Sequence, residues 1–185
     1  MALGEHLYNY ICNDLANCSG NYLEIGVFNG DGFARVAAKH KDKKCYALDP
    51  FIEDGYTTDH TNTIRGSKID SQRKNFYNSI EDLTNVEHFE LTSVQFSNNL
   101  TNQQVTDMDI SYVLIDGSHH YDDVVNDYKL AVKLIEKNKS GTIIFDDLTV
   151  PDVKQACDKF KEEFNSHIEK HGAVGGDAVF FKINL

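Results

Sequence analysis

The sequence predicts an α/β protein built on a doubly wound, mostly parallel sheet. Three observations carry this. Short apolar runs bounded by turn residues alternate with longer segments whose apolar residues recur at helical spacing. The run Ile110–Ile115, ISYVLI, is apolar almost throughout, as expected of a strand covered on both faces. The last two strand-like segments have no helix between them, which predicts an antiparallel edge.

Leu3–Ala16 sets Leu7, Tyr10, Ile11 and Leu15 on one helical stripe, and Cys18-Ser19-Gly20 ends it. This N-terminal helix is expected beside the sheet or over a ligand cleft. Tyr22–Val27 is the first strand. A turn carrying Gly26, Gly30 and Gly32 leads into a helix over Asp31–Lys39. Lys44–Leu48 is a second strand, stopped at Asp49-Pro50 because proline has no N–H for the ladder. Phe51–Gly66 is polar and aperiodic, and its length predicts a substrate or lid loop. Ile69–Leu83 returns to helical spacing through Phe76, Ile80 and Leu83. Val86–Leu91 is a third strand, and Val94–Val105 reads as irregular or short helical structure. Ile110–Ile115 is the fourth strand. Tyr121–Glu136 is the strongest helix, with Val124, Val125, Tyr128, Leu130, Ala131, Leu134 and Ile135. Thr142–Phe145 is the fifth strand. Pro151 then opens a helix to about Phe164, at a position where its missing N–H costs nothing. Ala178–Ile183 is the last strand, with Ser166–Lys170 as its partner across the turn Gly172–Gly176.

A chain of 185 residues is expected to form one domain, residues 1–185. The net charge of −11 repels phosphate backbones, so no nucleic-acid partner is expected. The basic stretches Lys39–Lys44 and Arg65–Lys74 are interrupted and read as solvated faces. Cys12, Cys18, Cys45 and Cys157 form no C-x-x-C pair, and read as reduced thiols rather than a disulfide frame or zinc site. No apolar run approaches a membrane span, and the start lacks a basic region followed by an apolar block. A cytoplasmic protein with no membrane partner is the expectation.

In such a sheet, ligands bind outside the carboxyl ends of the strands. Those ends hold Glu24 to Gly30, Asp49, Thr92 to Val94, Asp116 to Tyr121, and Asp146-Asp147. The glycine turn lets a ligand approach bare backbone and aims helix-start N–H groups at it. Phe28 stands where a dinucleotide fingerprint has its second glycine, which favours a ligand without phosphates over a nicotinamide dinucleotide. Glu24 is placed to accept hydrogen bonds from a cation or a hydroxyl. Asp49 can take both hydroxyls of a ribose, or simply begin an Asp-Pro turn. Asp116, Asp146 and Asp147 end neighbouring strands and can converge on one cation, and their hard oxygens suit Mg²⁺. Alternatively Asp146 caps a turn and Asp147 is solvated. A neutral His119 can take a proton from an acceptor hydroxyl, or it orders the ligand or caps the following helix. Asp122 and Asp123 complement the dipole of that helix, and Asp127 is a candidate buried partner.

The blocks YLEIGVFNGDG, YALDPF, VLIDGSHHYDDVVNDY and GTIIFDDL together resemble class I S-adenosylmethionine-dependent methyltransferases. They are most similar to the small-molecule branch that includes macrocin-type sugar O-methyltransferases, and the likeness runs from Asn21 to Leu185. It implies a Rossmann-like, seven-stranded sheet whose last strand is antiparallel, with S-adenosyl-L-methionine over the first two strand ends. It implies methyl transfer to a hydroxyl of a small, sugar-like acceptor, assisted by Mg²⁺ or another divalent cation. Glu24 and Gly26 would lie near the methionine part, with Phe28, Asn29 and Gly30 in the same cradle. Asp49 would lie on the ribose and Ser93 near the adenine. Asp116, Gly117, Ser118 and His119 would line the methyl-transfer side, Asp116 and His119 as the catalytic pair. Asp116, Asp146 and Asp147 would hold the metal. The loop after Asp49 departs from the family's substrate loop, so a non-catalytic S-adenosylmethionine-binding module is the alternative. The Phe51–Gly66 loop, the N-terminal helix or a partner subunit in a homo-oligomer is expected to close the cleft.

Overall fold

A computed structural model describes residues 3–52, 69–175 and 177–185. The strands are β1 (Asn21–Ile25), β2 (Cys45–Leu48), β3 (Val86–Phe89), β4 (Ile110–Ile115), β5 (Ser140–Phe145), β6 (Ile168–Gly175) and β7 (Ala178–Asn184). The helices are α1 (Leu3–Asp14), α2 (Asp31–Lys39), α3 (Ile69–Ile80), α4 (Ser93–Asn99), α5 (Asn102–Met108), α6 (Tyr121–Ile135) and α7 (Pro151–Glu163). They flank a seven-stranded sheet of order β3-β2-β1-β4-β5-β7-β6. The first five strands pair in parallel, and β7 runs antiparallel to both β5 and β6. The expected fold class is therefore the observed one.

Side-chain alternation along the strands sorts the core into two layers. Leu23, Ile25, Val113, Ile115, Ile143 and Phe145 face α6 and α7, while Tyr22, Tyr112, Leu114 and Ile144 face α1 and α2. Pro151 stands at the start of α7, as expected. Burial pushes the thiols of Cys45 and Cys157 up to about 12, and all four cysteines are free thiols. Such thiols are inert packing groups at neutral pH. Among the described residues no helix is long and apolar enough to cross a membrane.

The last two strands form the expected antiparallel pair at one edge of the sheet, with β7 between β5 and β6 and β6 outermost. One local expectation is corrected. Gly172 to Gly175 extend β6 rather than form the turn, since the register runs from Gly172↔Phe180 to Gly175↔Ala178. A Cβ on Gly172 would lie 3.1 Å from the Phe180 ring, so glycine there lets the ring lie close. The stretch Val94–Val105 takes the short helical form, one of the two expected, and contains most of α4 and the start of α5. Each helix opens on a capping box, Thr92 with Gln95 and Thr101 with Gln104, in which side chain and backbone satisfy each other's free groups. The proposed lid over Phe51–Gly66 lies, beyond Ile52, outside the described residues.

Candidate active site

The carboxyl ends of β1, β2, β4 and β5 open on one cavity of about 760 Å³. The turn between β1 and α2 forms one wall. Gly26 takes φ 85°, and a Cβ there would lie 2.2 Å from the Asp116 carbonyl oxygen and 2.4 Å from Gly117 Cα. Only glycine lets the two strand ends meet at this distance. Phe28 also has positive φ, at 49°, and stands 51% exposed at the cavity mouth.

Asp49 is the clasp of this turn. Its Oδ2 accepts the N–H groups of Val27 and Phe28 at 3.0 and 3.2 Å, and its Oδ1 accepts Phe51 N–H at 2.8 Å. Burial pushes its carboxyl up, while the three N–H donors favour the charged form. A carboxylate has about four lone-pair positions, and three are taken. About one acceptor position is left, and Asp49 lines the cavity.

Glu24 does not line the cavity, unlike every other residue expected to bind the cofactor. Strand alternation turns it to the α1 face, where it is fully buried. There it accepts Tyr8 Oη at 2.9 Å and Tyr22 Oη at 2.6 Å. Tyr8 lines the cavity in its place, seated because Gly32 has no side chain: a Cβ there would lie 2.0 Å from Tyr8 Cζ. Desolvation pushes Glu24 up to about 7 against the pull of the two phenols. A carboxyl held above its ordinary 4.5 keeps its proton in the folded state where the unfolded chain has lost it. That stabilisation is complete below the ordinary value and is lost as pH rises towards about 7. Glu24→Gln is therefore expected to flatten the fall in stability between about pH 5 and 7.5, by up to about 1.4 kcal/mol per pH unit. Urea titrations at several pH values measure this, and an unchanged slope contradicts it.

The opposite wall carries the acids. Asp116, Gly117, Ser118 and His119 follow β4, and Asp146-Asp147 follow β5. His119 Nε2 lies 2.7 Å from Asp147 Oδ2. The N-cap of α6 is the exposed His120, not His119, and Ser118 Oγ donates to Asp123. Among the described residues the acids able to hold one ion are Asp146, Asp147 and Asp177, with oxygens within 4.8 Å of one another. Asp177 thus joins Asp146 and Asp147 where Asp116 was expected, because the β6–β7 hairpin returns beside the end of β5. Asp116 lines the same cavity outside that group. Burial pushes Asp146 up to about 6, and the charges of Asp147 and Asp177 push the same way. A cation would relieve that crowding, and an all-oxygen donor set suits Mg²⁺ or another hard ion.

Tyr8 and Asp177 escaped the sequence reading, and Asp127, there a candidate buried partner, gains a place in the cavity wall. Tyr8 precedes Ile11 by three positions, so the helical stripe carried the signal. Asp127 is an acid among the apolar positions Val124, Val125 and Tyr128, which signals burial, and it lies in the cavity wall. Asp177 depends on the hairpin register and left no local trace.

Comparisons with known proteins agree with this geometry. A family model described as a methyltransferase domain matches residues 23–148. R132 of Acanthamoeba polyphaga mimivirus, itself uncharacterized, is 29% identical over 151 residues, or 77% of this chain. The chain spans 59% of that protein's length. The O-methyltransferase NovP superposes with a TM-score of 0.63 at 17% identity, over 97% of this chain and 80% of its own. The O-methyltransferase TomG of Streptomyces achromogenes, solved with S-adenosylmethionine, gives 0.59 at 15% identity, over 97% and 77%. At such identities the two structures speak for the fold. With more than half of its length matched by the family model, the chain belongs to the methyltransferase domain family.

Proposed function

We propose that the chain acts as one domain that moves the methyl group of S-adenosylmethionine to a hydroxyl oxygen of a small, sugar-like acceptor, as macrocin-type enzymes do. The observation that carries this is the meeting, in one cavity, of the Asp49-clasped glycine turn and the acids after β4 and β5. Bound there, the cofactor supplies an electrophilic methyl carbon on a sulfonium. Transfer forms one O–C bond, breaks one C–S bond and leaves the electron pair on sulfur.

The chain's own residues then have separate tasks. Gly26 to Gly30 offer bare backbone to the methionine part, and Asp49 offers its remaining acceptor position to a ribose hydroxyl. Asp146, Asp147 and Asp177 would hold a divalent cation, which would lower the pKa of an acceptor hydroxyl beside it. Asp116 and His119 stand at the transfer side to receive the acceptor's proton. The Asp147 carboxylate beside His119 Nε2 orients the ring for that task. The neutral or polyhydroxylated nature of the acceptor is favoured by the acidic cavity wall, which repels phosphorylated groups.

Transfer of a labelled methyl group to a panel of hydroxylated acceptors, with and without EDTA, tests the reading. Asp146→Asn is expected to cut metal-dependent turnover about 100-fold or more, while S-adenosylhomocysteine affinity stays within about twofold because the cofactor wall is untouched. Equal loss of both overturns the two-sided site. Cofactor binding with no transfer to any acceptor makes the protein a binding module instead.

A further inference from the structure

A second cavity, of about 330 Å³, opens beside the first and takes no part in the chemistry above. Asn29, Asp31, Asn75, Asn78 and Ser79 line it. Asn29 and Asp31 line both cavities, so the two meet at the start of α2. There α2 and α3 come close. Gly30 takes φ 84°, and a Cβ on it would lie 2.5 Å from Ser79 Oγ and 2.8 Å from the Phe76 ring. Glycine lets α3 close against the turn. On α3, Gln72 lines the first cavity, and Asn75, Asn78 and Ser79 follow one and two turns on in the second. A track of amides thus leads out of the active site between the two helices.

The lining says what fits there. An amide both donates and accepts, as a sugar hydroxyl does, and the Asp31 carboxylate can accept from a pair of adjacent hydroxyls. Asn75 Nδ2 meets Asn29 Oδ1 only at 3.4 Å, a long bond that leaves both amides able to hold a ligand. Among the described residues no lysine or arginine lines this cavity, and its one charge is an acid, which disfavours a phosphate. None of the five side chains is apolar, which disfavours an acyl chain. Phe28 precedes Asn29 and stands half-exposed at the mouth of the first cavity. Its φ of 49° is strained for a bulky residue, and Asp49 holds it there through the Phe28 N–H. A ring face beside amides suits a sugar on both counts: the ring meets its C–H face and the amides meet its hydroxyls.

We propose that this groove is a second subsite of the acceptor: a neutral sugar lies along Asn75 and Asn78, while the unit joined to it presents its hydroxyl in the first cavity. The acceptor is then a glycoside of at least two sugar units. This rests on the methyl-transfer reading above and narrows its acceptor. The second sugar does not touch the reacting atoms, so its hydrogen bonds hold substrate and transition state alike. Their loss shows in KM and leaves kcat nearly as it was.

The test is calorimetric titration of the full chain, with and without S-adenosylhomocysteine, against phenyl glucoside and against phenyl maltoside, cellobioside and lactoside, which add a second sugar to it. At least one diglycoside is expected to bind about tenfold more tightly than the monoglycoside, the yield of one or two net hydrogen bonds. Asn75→Ala/Asn78→Ala is expected to bring that ratio within about threefold. Both residues are exposed on α3, and alanine suits a helix better than asparagine, so the variant is expected to fold. A merely structural role would weaken both kinds of glycoside alike and leave the ratio intact. Where a diglycoside is methylated, the variant is expected to raise its KM about tenfold with kcat within about twofold. The proposal is overturned if no diglycoside gains over the monoglycoside, or if the gain survives in the variant. Failure of the methyl-transfer reading is a separate result: S-adenosylhomocysteine does not bind, or no bound glycoside is methylated, and the ratio of glycosides still decides the groove.

Discussion

Gly26→Ala is expected to cost at least about 4 kcal/mol of folding stability, a large share of the roughly 5–15 kcal/mol that holds a domain together. Two penalties combine. The residue takes φ 85°, a conformation that costs any L side chain about 1–2 kcal/mol. The new Cβ would also meet the Asp116 carbonyl oxygen at 2.2 Å and Gly117 Cα at 2.4 Å. Both are backbone atoms at the end of β4, so no side chain can swing aside to make room. Relief requires β1 and β4 to part, and their ends are fixed together by Asp116 N–H donating to the Ile25 carbonyl at 2.9 Å. Poor soluble yield and a collapse of the urea midpoint are the expected signs. A variant within 1 kcal/mol of the wild type, on the scale of an ordinary surface substitution, would show that the two strand ends are looser than described.

Asp49→Ala is expected to weaken S-adenosylhomocysteine binding by about 100-fold or more, the size of losing a charge-assisted bond together with the shape of the turn. The carboxylate does two things at once. In the proposed function it offers an acceptor to the ribose, and in the structure it ties the N–H groups of Val27, Phe28 and Phe51 into one turn. Without it the glycine turn loses its anchor to β2. A stability loss of about 1–3 kcal/mol accompanies the binding loss, because the buried Val27 and Phe51 lose the acceptor that Asp49 gives their N–H groups. Asp49→Asn separates the two contributions. Its single acceptor oxygen can hold part of the clasp, so it is expected to recover stability more than affinity. Binding of Mn²⁺ by the Asp146 side of the cavity is expected to stay as in the wild type. Loss of metal and cofactor binding together would mean that the two walls are not independent.

Several elements were legible because the signal is local. α2 spans Asp31–Lys39 and β4 spans Ile110–Ile115, as their spacing and flanking residues predicted. The capping boxes TSVQ and TNQQ were equally local. They mark the starts of α4 and α5, in a stretch whose apolar spacing alone reads as irregular or short helical. Glu24 shows a different kind of gap. Its position at a strand end was right, but a strand end offers two faces, and the face was settled by where α1 lays Tyr8. Asp127 was visible as an acid in an apolar stripe, yet its meeting with Ser93 and Gly117 joins three separate parts of the chain.

The sequence by itself determined the alternation of strands and helices, the glycine turn, and which strand ends bear acids, since each is written in spacing a few residues long. Only the tertiary structure decided that Asp49 is largely occupied as a clasp, that Glu24 is sealed under Tyr8, and that Asp177 rather than Asp116 completes the acid group. The physical reason is range. Backbone propensity and patterning act between neighbours, whereas a carboxylate's partners are fixed by how distant segments pack, and the hairpin that delivers Asp177 takes its place only when β7 inserts between β5 and β6.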